Sequence, residues 1–88
     1  MKYRSRTDIA AQILHAANGG ASKTKIMYRA FLSYAQLKEY LTLLLENNLL
    51  VLEGEQAASY RTTEKGHRFL SIYDKIGEYV HLDSEAAG

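Results

Sequence analysis

Between Ser22 and Asn48 the chain reads as two helices with almost no room between them, followed at once by an apolar run. This tight corner limits the fold more than any other stretch. The second of these helices opens with Ser33-Tyr34-Ala35-Gln36, a capping box in which the Ser33 hydroxyl accepts from the amide three residues on and Gln36 reaches back to the Ser33 amide. From there Leu37, Leu41, Leu44 and Leu45 recur at steps of four, three and one, with Tyr34 leading the same stripe. That spacing predicts a buried face, with Ala35, Lys38, Glu39, Thr42 and Glu46 turned outward. The preceding helix is short, from about Lys23 to Ala30 behind a Ser22 cap, and Ile26, Ala30 and Phe31 are expected on its inner side. Such a pair is a helix-turn-helix.

The flanking segments extend the pattern. Ser5 or Thr7 caps a first helix whose inner face is Ile9, Ile13, Leu14 and Ala17, and Asn18-Gly19-Gly20 ends it. Ala21 is then expected as a very short strand. After the third helix, Asn47-Asn48 supply a polar stop that tolerates left-handed backbone, and Leu49 to Glu53 reads as a buried strand. Gly54 to Ala57 forms a loop, and Ser59 to Thr62 returns with Tyr60 facing in and Arg61 facing out. Three helices, a hairpin and a final helix make a mainly α chain with a small β-hairpin: a winged helix-turn-helix followed by a C-terminal dimerisation helix.

That last helix is opened by Thr63-Glu64 and is expected to run to about Leu82. Phe69, Tyr73, Ile76 and Val80 recur at four, three and four, the spacing of a coiled-coil seam, with Leu70 on one flank and Ile72 and Tyr79 on the other. One domain cannot cover so wide a stripe. Its near part is expected on the chain's own core, and its far part against the same helix of a second copy, by isologous pairing about a two-fold axis. Gly66 and Gly77 each weaken a helix by about 1 kcal/mol relative to Ala, so this helix needs packing to persist. The expected organisation is a winged helix domain over 1–62, a dimerising helix over 63–82 and a disordered tail over 83–88.

Size and charge bear on partners. A chain of 88 residues buries a modest core, which favours help from a second subunit. It has no cysteine, and its longest apolar runs fall far short of the ~20 residues that cross a bilayer, so a soluble cytoplasmic protein without a membrane partner is expected. Net charge is +1, but residues 1–44 carry seven basic side chains against two acidic, and residues 45–88 four against eight. The basic half holds the helix-turn-helix, as suits a polyanionic partner.

Lys23 to Tyr28, Leu32 to Leu41, Leu44 to Asn47 and Tyr60 to Gly66 together resemble the signature blocks of small archaeal winged helix-turn-helix proteins. These comprise the ArnR-like regulators and abundant archaeal DNA-binding proteins that dimerise through a C-terminal antiparallel coiled coil. The resemblance covers about residues 5 to 80. It implies double-stranded DNA binding by the third helix and wing, a homodimer through the last helix, and a nucleoid-associated role in transcription regulation or chromatin. The wing departs from the pattern by carrying Glu53 and Glu55.

On this reading the third helix enters the major groove, with Gln36 and Lys38 as candidates for base edges, since Gln can pair with adenine and Lys can donate to guanine. Ser33, Tyr34 and Thr42 suit phosphate contacts or packing, Tyr34 packing above all because it leads the apolar stripe. Lys23, Lys25 and Arg29, with Arg4 and Arg6 before the first helix, would neutralise flanking phosphates, and Arg61 is the wing's contact. Phe69, Tyr73, Ile76 and Val80 are the expected dimer interface. His15, His67 and His81 lie far apart with no partner at metal-ligand spacing, so no metal, cofactor or catalytic role is expected. Three functions remain: a dimeric transcription regulator, an architectural chromatin protein of weak sequence preference, and a winged helix used for protein assembly.

Overall fold

The computed structural model describes residues 4–79, so the expected roles of Val80 and of the tail at 83–88 lie outside the described residues. The elements are α1 (Arg6–Ala16), α2 (Lys23–Ala30), α3 (Tyr34–Glu46), β1 (Leu50–Glu53), β2 (Ser59–Thr62) and α4 (Glu64–Tyr79), the order expected of a winged helix.

Ser5, rather than Thr7, caps α1. Its hydroxyl accepts from the Asp8 amide at 3.0 Å, and the Asp8 carboxylate accepts from the Ser5 amide at 2.9 Å, which satisfies two of the helix's open donors. Ile9, Ile13, Leu14 and Ala17 are buried as expected, joined by Ala10, Ala11 and Ala16. Small side chains on α1 let α2 and α4 pack closely against it. Gly19 and Gly20 take positive φ, and Ala21 then bridges Tyr60 through hydrogen bonds of 2.9 and 2.8 Å, so the short strand is present.

The corner between α2 and α3 corrects one expectation. Phe31 adopts left-handed backbone, with φ 54° and ψ 53°, and its side chain is 80% exposed instead of buried. A left-handed residue reverses the chain after a helix, so the next side chain turns inward. Leu32 is accordingly buried, and its amide donates to the Met27 carbonyl at 3.1 Å.

A second correction concerns α3. Its capping box forms, with Ser33 Oγ accepting from the Gln36 amide at 3.2 Å and Gln36 Oε1 accepting from the Ser33 amide at 3.0 Å. The buried stripe, however, is Leu37, Tyr40, Leu41 and Leu44, while Tyr34 is 54% exposed. Leu32 already fills the core at this end, so the first turn of α3 projects past it and the aromatic place passes to Tyr40.

Asn48 closes α3 in left-handed conformation, and Leu49 still belongs to the turn, its amide donating to Leu44 O at 2.9 Å. The strand therefore starts at Leu50. β1 and β2 pair antiparallel from Leu50 opposite Thr62 to Glu53 opposite Ser59, with Tyr60 in the core. The hydroxyl of buried Thr62 donates to the Leu14 carbonyl at 2.6 Å and anchors the hairpin root on α1.

Thr63 opens α4, its hydroxyl accepting from the Gly66 amide at 3.0 Å and donating to Asn48 O at 2.6 Å. Along α4, Leu70 is buried and Phe69 and Tyr73 are half-buried against the core. The Tyr73 hydroxyl donates to the Asp8 carboxylate.

Candidate nucleic-acid interface

The solvent side of α3 presents Ser33, Gln36, Lys38 and Thr42, all exposed. Lys38 pairs with no carboxylate among the described residues, so its charge is open to a ligand. Thr42 Oγ1 donates back to the Lys38 carbonyl at 3.1 Å, leaving the oxygen's lone pairs available to a donor. Gln36 is differently placed. Its Oε1 is engaged by the Ser33 amide, and a two-bond contact with adenine requires that same oxygen, so reading a base this way would dissolve half of the cap.

The basic residues of α2 fall on two flanks. At about 100° per residue, Lys23 lies toward α3, with its ammonium 5.6 Å from the centre of the exposed Tyr34 ring. Lys25 and Arg29 lie on the opposite flank, where Arg29 Nη1 reaches the Ala16 carbonyl at the end of α1 at 3.5 Å. The Ser22 hydroxyl accepts from the Lys25 amide at 3.2 Å and fixes the start of the helix.

Arg4 and Arg6 are held against the body of the domain. The Arg4 guanidinium donates to Gln12 Oε1 at 2.6 Å, to the Ala30 carbonyl, and to the Phe31 carbonyl at 2.9 Å, so it caps the C-terminus of α2. Arg6 lies 5.1 Å from the centre of the Tyr40 ring and 3.7 Å from Glu39. Sequence reasoning missed these roles because the partners are remote in the chain.

On the wing, Arg61 Nε and Nη2 donate to the two Glu53 oxygens at 2.9 and 2.6 Å. The register sets Val51 opposite Arg61 and Glu53 opposite Ser59, which makes this a diagonal cross-strand pair. The hydrogen bond from Arg61 holds the Glu53 carboxyl below its ordinary range and raises the guanidinium in turn. The wing therefore neutralises its own cation, a pairing legible only once the register is known.

A winged helix-turn-helix family model matches residues 3–81. The chain is a member of the winged helix-turn-helix family. No curated protein sequence matches it. Among solved structures, this winged helix chain is similar to Sso10a-2, a DNA-binding protein from Sulfolobus solfataricus, at 25% identity and a TM-score of 0.78 over 96% of this chain and 93% of that one. It also resembles BpsR of Bordetella bronchiseptica, at 14% identity and TM-score 0.76, over 85% of this chain and 57% of that one. A third is the MarR family transcriptional regulator Sco5413 of Streptomyces coelicolor, at 14% identity and TM-score 0.73, covering 92% and 58%. The winged helix chain thus spans less than two thirds of the length of the last two, whose likeness is one of fold. Among its described residues no cluster of His, Asp and Glu is placed to hold a metal ion, and no helix is long and apolar enough to cross a membrane.

Proposed function

We propose that the protein binds double-stranded DNA as a dimeric transcription regulator of the small archaeal winged helix type. It would work by binding rather than by catalysis. The observation that carries this reading is the capped, exposed front of α3, on which Lys38 stands unpaired among the described residues beside Ser33 and Thr42. In this arrangement α3 enters the major groove, while Lys23 and the N-terminus of α2 approach a flanking phosphate. The likeness to the DNA-binding Sso10a-2 over nearly the full length of both chains supports the reading. Dimerisation through α4 would set two recognition helices on one duplex. The working place of such a protein is the cytoplasmic nucleoid.

A second reading, an architectural chromatin protein with weak sequence preference, is favoured by the engagement of Gln36 in its own cap and of Arg61 by Glu53. Both pairings reduce the number of side chains free to read bases. Titrating the purified protein with fluorescent random-sequence duplex across a salt series tests DNA binding: affinity falling steeply with salt supports it, and indifference to DNA at low salt overturns it. Selection from a random duplex pool then separates the two readings, since a regulator enriches a defined site and an architectural protein does not.

A further inference from the structure

Two aromatic rings stand in solvent at the end of α2. Tyr28 is 72% and Phe31 80% exposed, and neither belongs to the core. Lys25, Tyr28, Arg29 and Phe31 are spaced three and four apart, so they are neighbours on the helix surface and form one strip in which cations and rings alternate. Neither Lys25 nor Arg29 pairs with a carboxylate among the described residues. Beside Arg29 opens a cleft of about 360 Å³ lined by Gln12, His15, Ala16, Arg29 and Phe31. Its size is at the small end of the roughly 300–1,000 Å³ of ligand sites. Gln12 Oε1 accepts from Arg4, which leaves the amide N–H groups of Gln12 for a ligand. The Asp74 carboxylate lies 3.8 Å from His15 Nε2, but Lys25, Arg29 and Arg4, which donates to the Phe31 carbonyl, leave this corner positive in balance.

We infer that this strip binds single-stranded nucleic acid: an unpaired base seats in the cleft against Phe31, the next stacks on Tyr28, and Lys25 and Arg29 hold the backbone phosphates beside them. The chain's own stability gives no reason for Phe31. A ring in solvent on left-handed backbone costs the fold twice, and strained positions of this kind cluster at binding sites. A duplex offers such rings little, because its bases are stacked on one another behind sugar and phosphate. An unpaired strand offers the face of every base.

The strip is a second surface. Lys25 and Arg29 lie on the flank of α2 away from Lys23, which leans toward Tyr34 of α3. A strand held there leaves the front of α3 open to a duplex and requires no second copy of the chain.

The chain has no tryptophan, so Phe31→Trp places a lone indole at the proposed stacking position. Oligothymidylate of about 12 nucleotides should quench its emission to saturation, and a duplex of the same length should change it little. With fluorescently labelled oligothymidylate, Phe31→Gly and Tyr28→Ala should each weaken binding about fivefold or more at unchanged circular dichroism and unchanged duplex affinity. Lys38→Ala should leave single-strand binding as it is. Oligouridylate run beside oligothymidylate names the source, since tighter binding of either supports the strip and assigns it to RNA or DNA. Absence of single-strand binding at low salt would overturn the proposal, whatever the duplex titration gives, and leave the rings to a protein partner. Single-strand binding that falls in Lys38→Ala but not in Phe31→Gly or Tyr28→Ala would place the strand on α3 and overturn the strip. Equal losses of duplex and single-strand affinity in the two ring variants would overturn the separation of the surfaces.

Discussion

The Tyr73 hydroxyl donates to the Asp8 carboxylate across 65 residues of sequence and clasps α4 to the start of α1. Asp8 is thereby both the second half of the α1 capping box and the anchor of the last helix. The Tyr73 hydrogen bond, followed by that of the Ser5 amide, holds the Asp8 carboxyl below its ordinary 3.8, and the same contact pushes the Tyr73 phenol from 10.0 up to about 12. A depressed carboxyl contributes stability above its ordinary value and loses it as pH falls through the folded one. A raised phenol contributes below 10 and loses its share as pH rises toward 12. Thermal unfolding should therefore show a plateau through neutral pH with a decline on each side. In Tyr73→Phe the alkaline decline assigned to this phenol should vanish, at a cost of about 1 kcal/mol at pH 7.

Two glycines of α4 should respond in opposite directions to the same substitution. A Cβ on Gly66 would stand 2.4 Å from the Leu49 carbonyl oxygen and 2.6 Å from Thr62 Cγ2, whereas one on Gly77 meets nothing within 4 Å. Gly66→Ala should lower stability by about 2 kcal/mol despite the better helix former. Gly77→Ala should raise it by about 1 kcal/mol. Urea denaturation of the two variants beside the parent checks the pair.

Phe31 occupies left-handed backbone with its ring in solvent, an arrangement that costs a non-glycine residue about 1 kcal/mol. Phe31→Gly should leave the corner unchanged and stabilise the fold by up to about 1 kcal/mol in chemical denaturation. A large loss instead would assign the exposed ring a packing role.

Releasing the wing cation should strengthen DNA binding. In Glu53→Gln the guanidinium of Arg61 loses its carboxylate and becomes available to a phosphate. Affinity for random duplex should rise, and the slope of log affinity against log salt should steepen by about one. Arg61→Ala should lower affinity instead, because it leaves the Glu53 carboxylate as an unpaired negative charge on the wing. Fluorescence anisotropy across a salt series reads both variants.

Gln36 and Lys38 can be separated by substitutions that respect the cap. Gln36→Glu can keep the capping geometry while adding a negative charge to the front of α3, so it should weaken DNA binding with stability held. Ser33→Ala removes the cap oxygen and should cost about 1 kcal/mol of stability. Lys38→Ala should lower DNA affinity without destabilising the fold, since its side chain holds no partner among the described residues. Thermal melts and binding titrations on the same samples distinguish the three.

The order of elements, the Ser33-Gln36 capping box, the Ala21 bridge and the inward Tyr60 were all legible in the amino-acid sequence. Each depends on neighbours a few residues away or on a simple alternation, and local chemistry decides such features before the chain collapses. Tyr34 and Phe31 were misjudged for one reason. Periodicity tells which residues share a face, but where the core ends along that face depends on Leu32, which turns inward only because the corner is left-handed.

The surface chemistry was decided by tertiary structure. Arg4 belongs to the end of α2, Arg6 to Glu39 and Tyr40, and Arg61 to Glu53, so cations that look alike along the chain differ in what they have left to offer a phosphate. The stripe on α4 divides in the same way, because the hydrogen bond to Asp8 commits Tyr73 to its own domain and leaves Ile72, Ile76 and Tyr79 facing out. Helix starts, stops and apolar spacing are properties of short segments, which one sequence displays in full. The partner of a long, flexible charged side chain, or of one face of a terminal helix, is set by which distant segment the fold brings within reach.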